Sequence, residues 1–397
     1  MKICIVVDDY LPLSKKVAGK MMHELAMEFL LRGHDVTVVT PGICLSSKYE
    51  ISKLDSVTVC RFNSGEIKNV SKIKRAINET LLSFRAWNGC KDYFNENPHD
   101  FILYYSPSIF WGPLVRKLKK IWSAPSYLIL RDFYPQMFFD EGLISEYSPM
   151  ACYFNFFEWL SYRSADTIAI ESPKNLDWFN RKKATHKPLT LVYNWAADGP
   201  ILSQSSNYRK DLGLENKVVY FYGGNIGPQQ DMMNIVRLAV AMRSEANAHF
   251  VIVGEGFALQ LLLNASKKEK LKNMTILPAV SQEEFKKMLS EFDVGLFSLN
   301  RDHTTHNIPG KLLGYMVHEK PILGSINADN DIQNIIGDAE AGFITVNGDD
   351  EAFHKNALKL MHDSGLRKKM GQNAKQLLKN VFSVQEAANR ILPNNLQ

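Results

Sequence analysis

The residues best suited to handling charge lie in NRDHTTHNIPGKLLGYMVHEKPIL, residues 300–323, where His303 and His306 precede Pro309, Gly310 and Lys311. Proline suits the first turn of a helix, so the segment predicts a short helix opening near Lys311. An ammonium in a first turn stands near free backbone N–H groups, which disfavours it unless an anion such as a diphosphate lies there. Lys311 is therefore read as a phosphate ligand, with Pro309, Gly310 and Leu312 around it. The two histidines are ambiguous as metal ligands, because no cysteine or third histidine stands near them. No metal is assigned.

Glycine-rich strand ends supply a second kind of chemistry. YGGNIGPQQD (222–231) leads from an apolar strand towards a helix through Gly223, Gly224 and Gly227, and VGEG (253–256) ends the next strand with Gly254, Glu255 and Gly256. Neither is a Walker loop or a strict dinucleotide fingerprint, so a nicotinamide or P-loop reading is poorly supported. Backbone contacts to a nucleotide phosphate remain, drawing in Gly224, Asn225, Gly227, Gly254, Glu255 and Gly256. Gly19, at the start of the first helix after DDYLPLSKKVAG, either exposes N–H groups to an anion or serves turn geometry alone. Arg131 and Asp132 follow the strand SYLIL. They either bind an acceptor and deprotonate its hydroxyl, or form an Arg–Asp pair that anchors the next loop.

The elements that position these residues follow from periodicity. KICIVV (2–7) is a strand and 17–34 an amphipathic helix stopped by Gly33, with DVTVVT (35–40) as the next parallel strand. Further strands are read at 57–62, 101–105, 126–130 and 166–170, with one long helix over about 70–95 and others near 109–121 and 149–163. After a polar stretch the alternation restarts with strands at 218–224, 249–254, 275–280, 294–299, 321–325 and 342–346. The expected domains are 1–195 and 217–380, with a linker at 196–216 and a terminal helix in 381–397. Two doubly wound parallel sheets result, and the cleft between them is the default ligand site.

Composition excludes several classes. With 45% apolar residues the chain is not disordered, and five unevenly spaced cysteines make neither a disulfide framework nor a zinc knuckle. No apolar run is long enough for a signal peptide or a spanning helix, so a cytoplasmic protein is expected. The net charge of +5 is mild and lies mostly in residues 1–200. Its clusters are Lys68, Lys72, Lys74 and Arg75, then Arg116, Lys117, Lys119 and Lys120, interleaved with Trp87, Phe110, Trp111 and Trp122. These either touch an anionic membrane or are solvated helix faces. No nucleic-acid module is present.

Taken in order, Gly19 before its helix, RGHDVTVVTP, RDFYPQ, ADTIAIESP, YGGNIG, VGEG and PGKLLGYMVHEKP resemble the sugar transferases of glycosyltransferase family 4 over nearly the whole chain. The version here is similar to bacterial surface-polysaccharide transferases of O-antigen or capsule assembly, especially those moving N-acetyl-L-fucosamine. The resemblance implies a GT-B fold of two Rossmann-like domains facing a central cleft. Its second half would bind a UDP-sugar as substrate, with no cofactor, and its first half an undecaprenyl-diphosphate-linked glycan. That would place it on the inner face of the plasma membrane, with no nucleic-acid partner. It also implies Gly224, Asn225 and Gly227 at the diphosphate or sugar, Glu255 and Gly256 near the nucleoside, Lys311 at the leaving diphosphate and Gly19 lining the cleft. The family's two glutamates, eight positions apart, are His306 and Gly314 here, so His306 would approach the sugar and ribose binding must come from elsewhere. The rivals are a UDP-sugar epimerase of the same shape and a non-catalytic sugar-nucleotide-binding protein.

Overall fold

The computed structural model describes residues 1–392 apart from 15–16, 43, 67–69, 141, 143, 184, 200–206 and 303–307. Its chain forms two compact units, Met1–Tyr193 with Val384–Gln397, and Asn194–Ser383.

The first unit is built on eight strands, β1 (Lys2–Val6), β2 (Asp35–Gly42), β3 (Tyr49–Leu54), β4 (Val57–Asn63), β5 (Phe101–Tyr105), β6 (Ser126–Leu130), β7 (Thr167–Ile170) and β8 (Leu189–Leu191). They lie in the order β3-β4-β2-β1-β5-β6-β7-β8. All pairs are parallel except β3 with β4. Strands β1, β5 and β6 are almost wholly buried apolar runs, as a sheet covered by helices on both faces requires. The helix Val17–Leu31 covers it with Met21, Met22, Leu25, Ala26 and Phe29. The helix Val384–Ile391 packs on that helix, with Arg32 Nη2 donating to the Gln385 carbonyl at 2.9 Å and Arg390 Nη1 to that of Leu191 at 3.0 Å.

Three features depart from the expected elements. The helix expected over 70–95 is two, Lys72–Thr80 and Leu82–Glu96. Thr80 Oγ1 donates back to the Ala76 carbonyl at 2.6 Å and Leu81 adopts ψ −2°, a tightened turn that bends the chain without glycine or proline. The strand β3 was not expected, because its residues are mostly exposed and do not alternate; a two-residue turn pins it, Asp55 and Ser56 having φ 48° and 71°. Among the aromatics read as interleaved with surface cations, Phe110 is 5% and Trp111 0% exposed, both buried beneath the sheet-covering helices.

The second unit carries six parallel strands, β9 (Val218–Gly223), β10 (Ala248–Val253), β11 (Met274–Leu277), β12 (Val294–Ser298), β13 (Ile322–Ile326) and β14 (Gly342–Val346), ordered β11-β10-β9-β12-β13-β14. The strand order reverses between β9 and β12, which makes their carboxyl ends the point where a ligand-sized crevice opens. Of the segment expected as a linker, residues 200–206 lie outside the described residues and Tyr208–Asp211 is a short helix. Arg209 Nη2 there pairs with Asp293 Oδ2 at 2.5 Å.

Candidate functional site

Chain leaving β9 turns at Gly224, and chain leaving β12 returns through the helix Lys311–Val317. Packing fixes that short helix. Gly295 on β12 leaves a notch, since a Cβ there would stand 2.3 Å from the Tyr315 ring, and the Tyr315 hydroxyl donates to the Leu296 carbonyl at 2.8 Å. Lys311 lies one turn earlier on the same face. Its Nζ sits 3.6 Å from the centre of the Tyr222 ring at the end of β9. The helix has seven residues, so its dipole contributes little; the aromatic face holds the amine instead.

This amine is buried and has no hydrogen-bond partner among the described residues. Desolvation pushes it from 10.5 down to about 7, so near neutrality it is poised between amine and ammonium. A buried donor with three N–H bonds and no acceptor is costly. An incoming anion would supply the acceptors. Gly224 borders it: φ there is +127°, and a Cβ would meet only Lys311 Cε at 3.7 Å and Nζ at 3.8 Å.

The other glycines have different reasons. A Cβ on Gly254 would stand 1.9 Å from the Gly224 carbonyl oxygen, and one on Gly256 2.4 Å from that of Ile226. They let the two loops lie against each other, where Ile226 N–H donates to the Glu255 carbonyl at 2.8 Å and Ala258 N–H to that of Ile226 at 2.9 Å. Asn225 Nδ2 and Gly227 N–H both donate to Gln230 Oε1 at 3.1 Å, closing the turn. The Tyr222 hydroxyl donates to the Asn225 carbonyl at 2.5 Å, so one ring both faces the lysine and holds the loop. The Glu255 side chain is exposed at this edge. Pro309 is half-buried, Gly310 open and Leu312 in the core. His306, and with it His303, lies outside the described residues.

Gly314, where the resembled family has a glutamate, faces Leu289 and Phe285; a Cβ would stand 3.5 Å from Leu289 Cδ1 and 3.8 Å from Phe285 Cε1. Phe285 also fills the space left by Gly223. Sequence reading passed over Tyr222, Tyr315 and Phe285. The signal for two of them was present as an aromatic ending β9 beside the double glycine and an aromatic four residues after Lys311.

In the first unit the strand order reverses between β1 and β5, and neighbouring strands each deliver an ionisable group to the same edge. Asp8 follows β1, Tyr105 ends β5, Arg131 and Asp132 follow β6, and Glu171 follows β7. Burial raises the Tyr105 phenol; Arg131 opposes this, while Asp132, Glu171 and Asp8 add to it. The Asp132 carboxyl is likewise held above its ordinary value, by burial first and Asp8 second, against Arg131. The Arg131 guanidinium donates to the Val192 and Tyr193 carbonyls, so it anchors backbone as well as charge. Gly19 is the third residue of its helix and makes room for Ser14, whose Oγ would stand 2.7 Å from a Cβ and donates to Asp9 Oδ2 at 2.8 Å. Among the described residues, no group of three or more His, Cys, Asp or Glu side chains converges as for a metal ion, and no helix is long and apolar enough to cross a membrane.

Residues 204–377 match the family model of glycosyl transferases group 1. WcaI of Escherichia coli (strain K12), named as a colanic acid biosynthesis glycosyl transferase, is 24% identical over 332 residues, 79% of this chain and 80% of that protein. Among solved structures, sucrose-phosphate synthase from Thermosynechococcus elongatus superposes with a TM-score of 0.72 at 13% identity, covering 98% of this chain and 97% of that one. Anabaena HepE in complex with UDP and glucose superposes at 0.68 with 14% identity, covering 98% of both. The chain is thus a glycosyltransferase of the GT-B fold, with the group 1 match carried by its second unit.

Proposed function

We propose that the second unit binds the diphosphate of a UDP-sugar against Lys311, and that the sugar passes to an undecaprenyl-diphosphate-linked glycan taken by the first unit. The observation that carries this reading is the buried Lys311 amine, without a hydrogen-bond partner among the described residues, on the Tyr222 ring beside the open side of Gly224. The UDP and glucose held by HepE, and the part in colanic acid biosynthesis that WcaI's name gives it, support the donor class and the setting. N-acetyl-L-fucosamine in O-antigen or capsule assembly is the donor and pathway class we assign, with the protein peripheral to the inner face of the plasma membrane.

The acceptor oxygen bonds to the anomeric carbon, the bond from that carbon to the diphosphate oxygen breaks, and UDP departs with the electron pair. Lys311, charged by the incoming diphosphate, neutralises the developing negative charge in a site poor in water. The turn through Gly224, Asn225 and Gly227 borders the phosphates, and Glu255 and Gly256 border the nucleoside. Asp132, its proton affinity raised by burial, takes or orients the acceptor hydroxyl proton.

Calorimetric titration with UDP, GDP and ADP tests this directly. Tight UDP binding lost in Lys311→Met is expected. Preference for GDP or ADP would discard the fucosamine assignment, and no nucleotide binding at all would overturn the proposal.

A further inference from the structure

The helix Pro149–Ser164 carries a stripe of large side chains that the fold leaves uncovered. Met150 is 56% exposed, Tyr153 38%, Phe156 53% and Trp159 49%, each three residues after the last, so that successive side chains adjoin in a band that winds about half-way round the helix. Tyr147, just before the helix, is 93% exposed. The stripe opens at its amino-terminal end onto an apolar groove of about 500 Å³, walled by Ile77, Thr80 and Leu81 on one side and Met150, Tyr153 and Phe154 on the other. A monomeric soluble domain rarely shows so contiguous an apolar face without a use for it.

Charge and side-chain type say what covers it. The helix has one acid, Glu158, which is buried and paired with Lys183 at 2.7 Å, so the exposed face carries none. The stripe ends on Arg163, whose guanidinium lies 5.1 Å from the Trp159 ring centre. The helix Gly112–Trp122 packs alongside and exposes Arg116, Lys117 and Lys120, none of which has an ion-pair partner among the described residues. Tyr and Trp rings with one polar atom beside the apolar Met150 and Phe156, flanked by cations that have no ion-pair partner among the described residues, suit the boundary between lipid headgroups and acyl chains.

We infer that this stripe and groove dock the protein on an anionic bilayer, the groove receiving acyl chain or prenyl tail and the cations the headgroups. The inference rests on the membrane setting proposed above; it keeps the cations Arg116, Lys117 and Lys120 of the sequence reading and moves the apolar contact from Trp87, Phe110, Trp111 and Trp122 to this helix.

The experiment is co-sedimentation of the full chain with vesicles of phosphatidylethanolamine and phosphatidylglycerol, and with phosphatidylcholine alone. Binding to the anionic vesicles is expected, falling at least about tenfold in a Phe156→Ser, Trp159→Ser double variant and weakening with salt in the native chain. Both substituted residues are exposed, so thermal midpoint and UDP affinity should stay unchanged, and UDP affinity independently reports the donor reading. Undiminished vesicle binding by the variant would overturn this surface while leaving the membrane setting intact. No binding by the native chain would overturn both. Self-association abolished by the same substitutions, without lipid binding, would reassign the stripe to a second copy of the chain.

Discussion

In the proposed site Lys311 has two opposed effects: the amine that would serve an anion is a burden to the free protein. Lys311→Met keeps the length and removes the buried polar head, so turnover should fall about 10²-fold or more. The thermal midpoint of the free protein should not fall, because an apolar replacement of an unpartnered buried charge is often neutral or stabilising. Steady-state kinetics and calorimetric melting check the two halves. The pH dependence has a definite sign. The amine titrates near 7 in the folded chain and near 10.5 when unfolded, so between these values the unfolded state holds the extra proton. This group's contribution to stability therefore rises with pH across that window. Binding a diphosphate should recharge the amine, so at pH 8 UDP binding should take up a proton, visible as a calorimetric enthalpy that changes with buffer. An enthalpy independent of buffer, or one equally dependent in Lys311→Met, would remove the amine from the diphosphate site. Tyr222→Phe tests the neighbouring hydroxyl: it leaves the ring under the lysine but frees the Asn225 carbonyl, and should weaken UDP several-fold with little change in maximal rate.

Among the elements, the glycine loops separate those that shape the protein from those that leave room. Gly254→Ala drives a methyl into the Gly224 carbonyl and should cost about 1–3 kcal/mol, read from denaturant unfolding. Gly310→Ala meets nothing within 4 Å among the described residues at φ −58°, and should be neutral or slightly stabilising. Gly314→Glu restores the family's carboxylate at a position where a Cβ makes only ordinary contacts. About tenfold tighter UDP binding would place the ribose there, and unchanged affinity would place it elsewhere. Much of this scale was legible beforehand. Buried parallel strands such as KICIV and HFVIV announce themselves as apolar runs, and Gly254 reads as a strand-end glycine. Its reason, a carbonyl on another loop, cannot be read from one segment. The strand β3 escaped because Tyr49–Leu54 gains its order from β4 rather than from its own pattern, and β8 because three residues carry no period. Pro309 and Gly310 single out Lys311 in the sequence as a candidate phosphate ligand. Its seat on Tyr222 was not legible there, since that contact joins residues 89 positions apart in sequence.

At the scale of the whole molecule, charge neutralisation by an amine makes a divalent ion unnecessary in the proposed mechanism. Added chelator should leave turnover unchanged, and a loss restored by Mn²⁺ would sink that account. The chain path carries its own consequence. The first unit is made of Met1–Tyr193 and Val384–Gln397, with the second unit inserted between them. The helix Val384–Ile391 buries Val384, Ala387, Ala388 and Ile391, and packs on Val17–Leu31, near the other end of the sequence. On the ribosome, therefore, the half that begins first is finished last. The inserted half can close as one continuous stretch while the earlier sheet waits with part of a helix layer missing and the matching face of Val17–Leu31 open to chaperones or to misassociation.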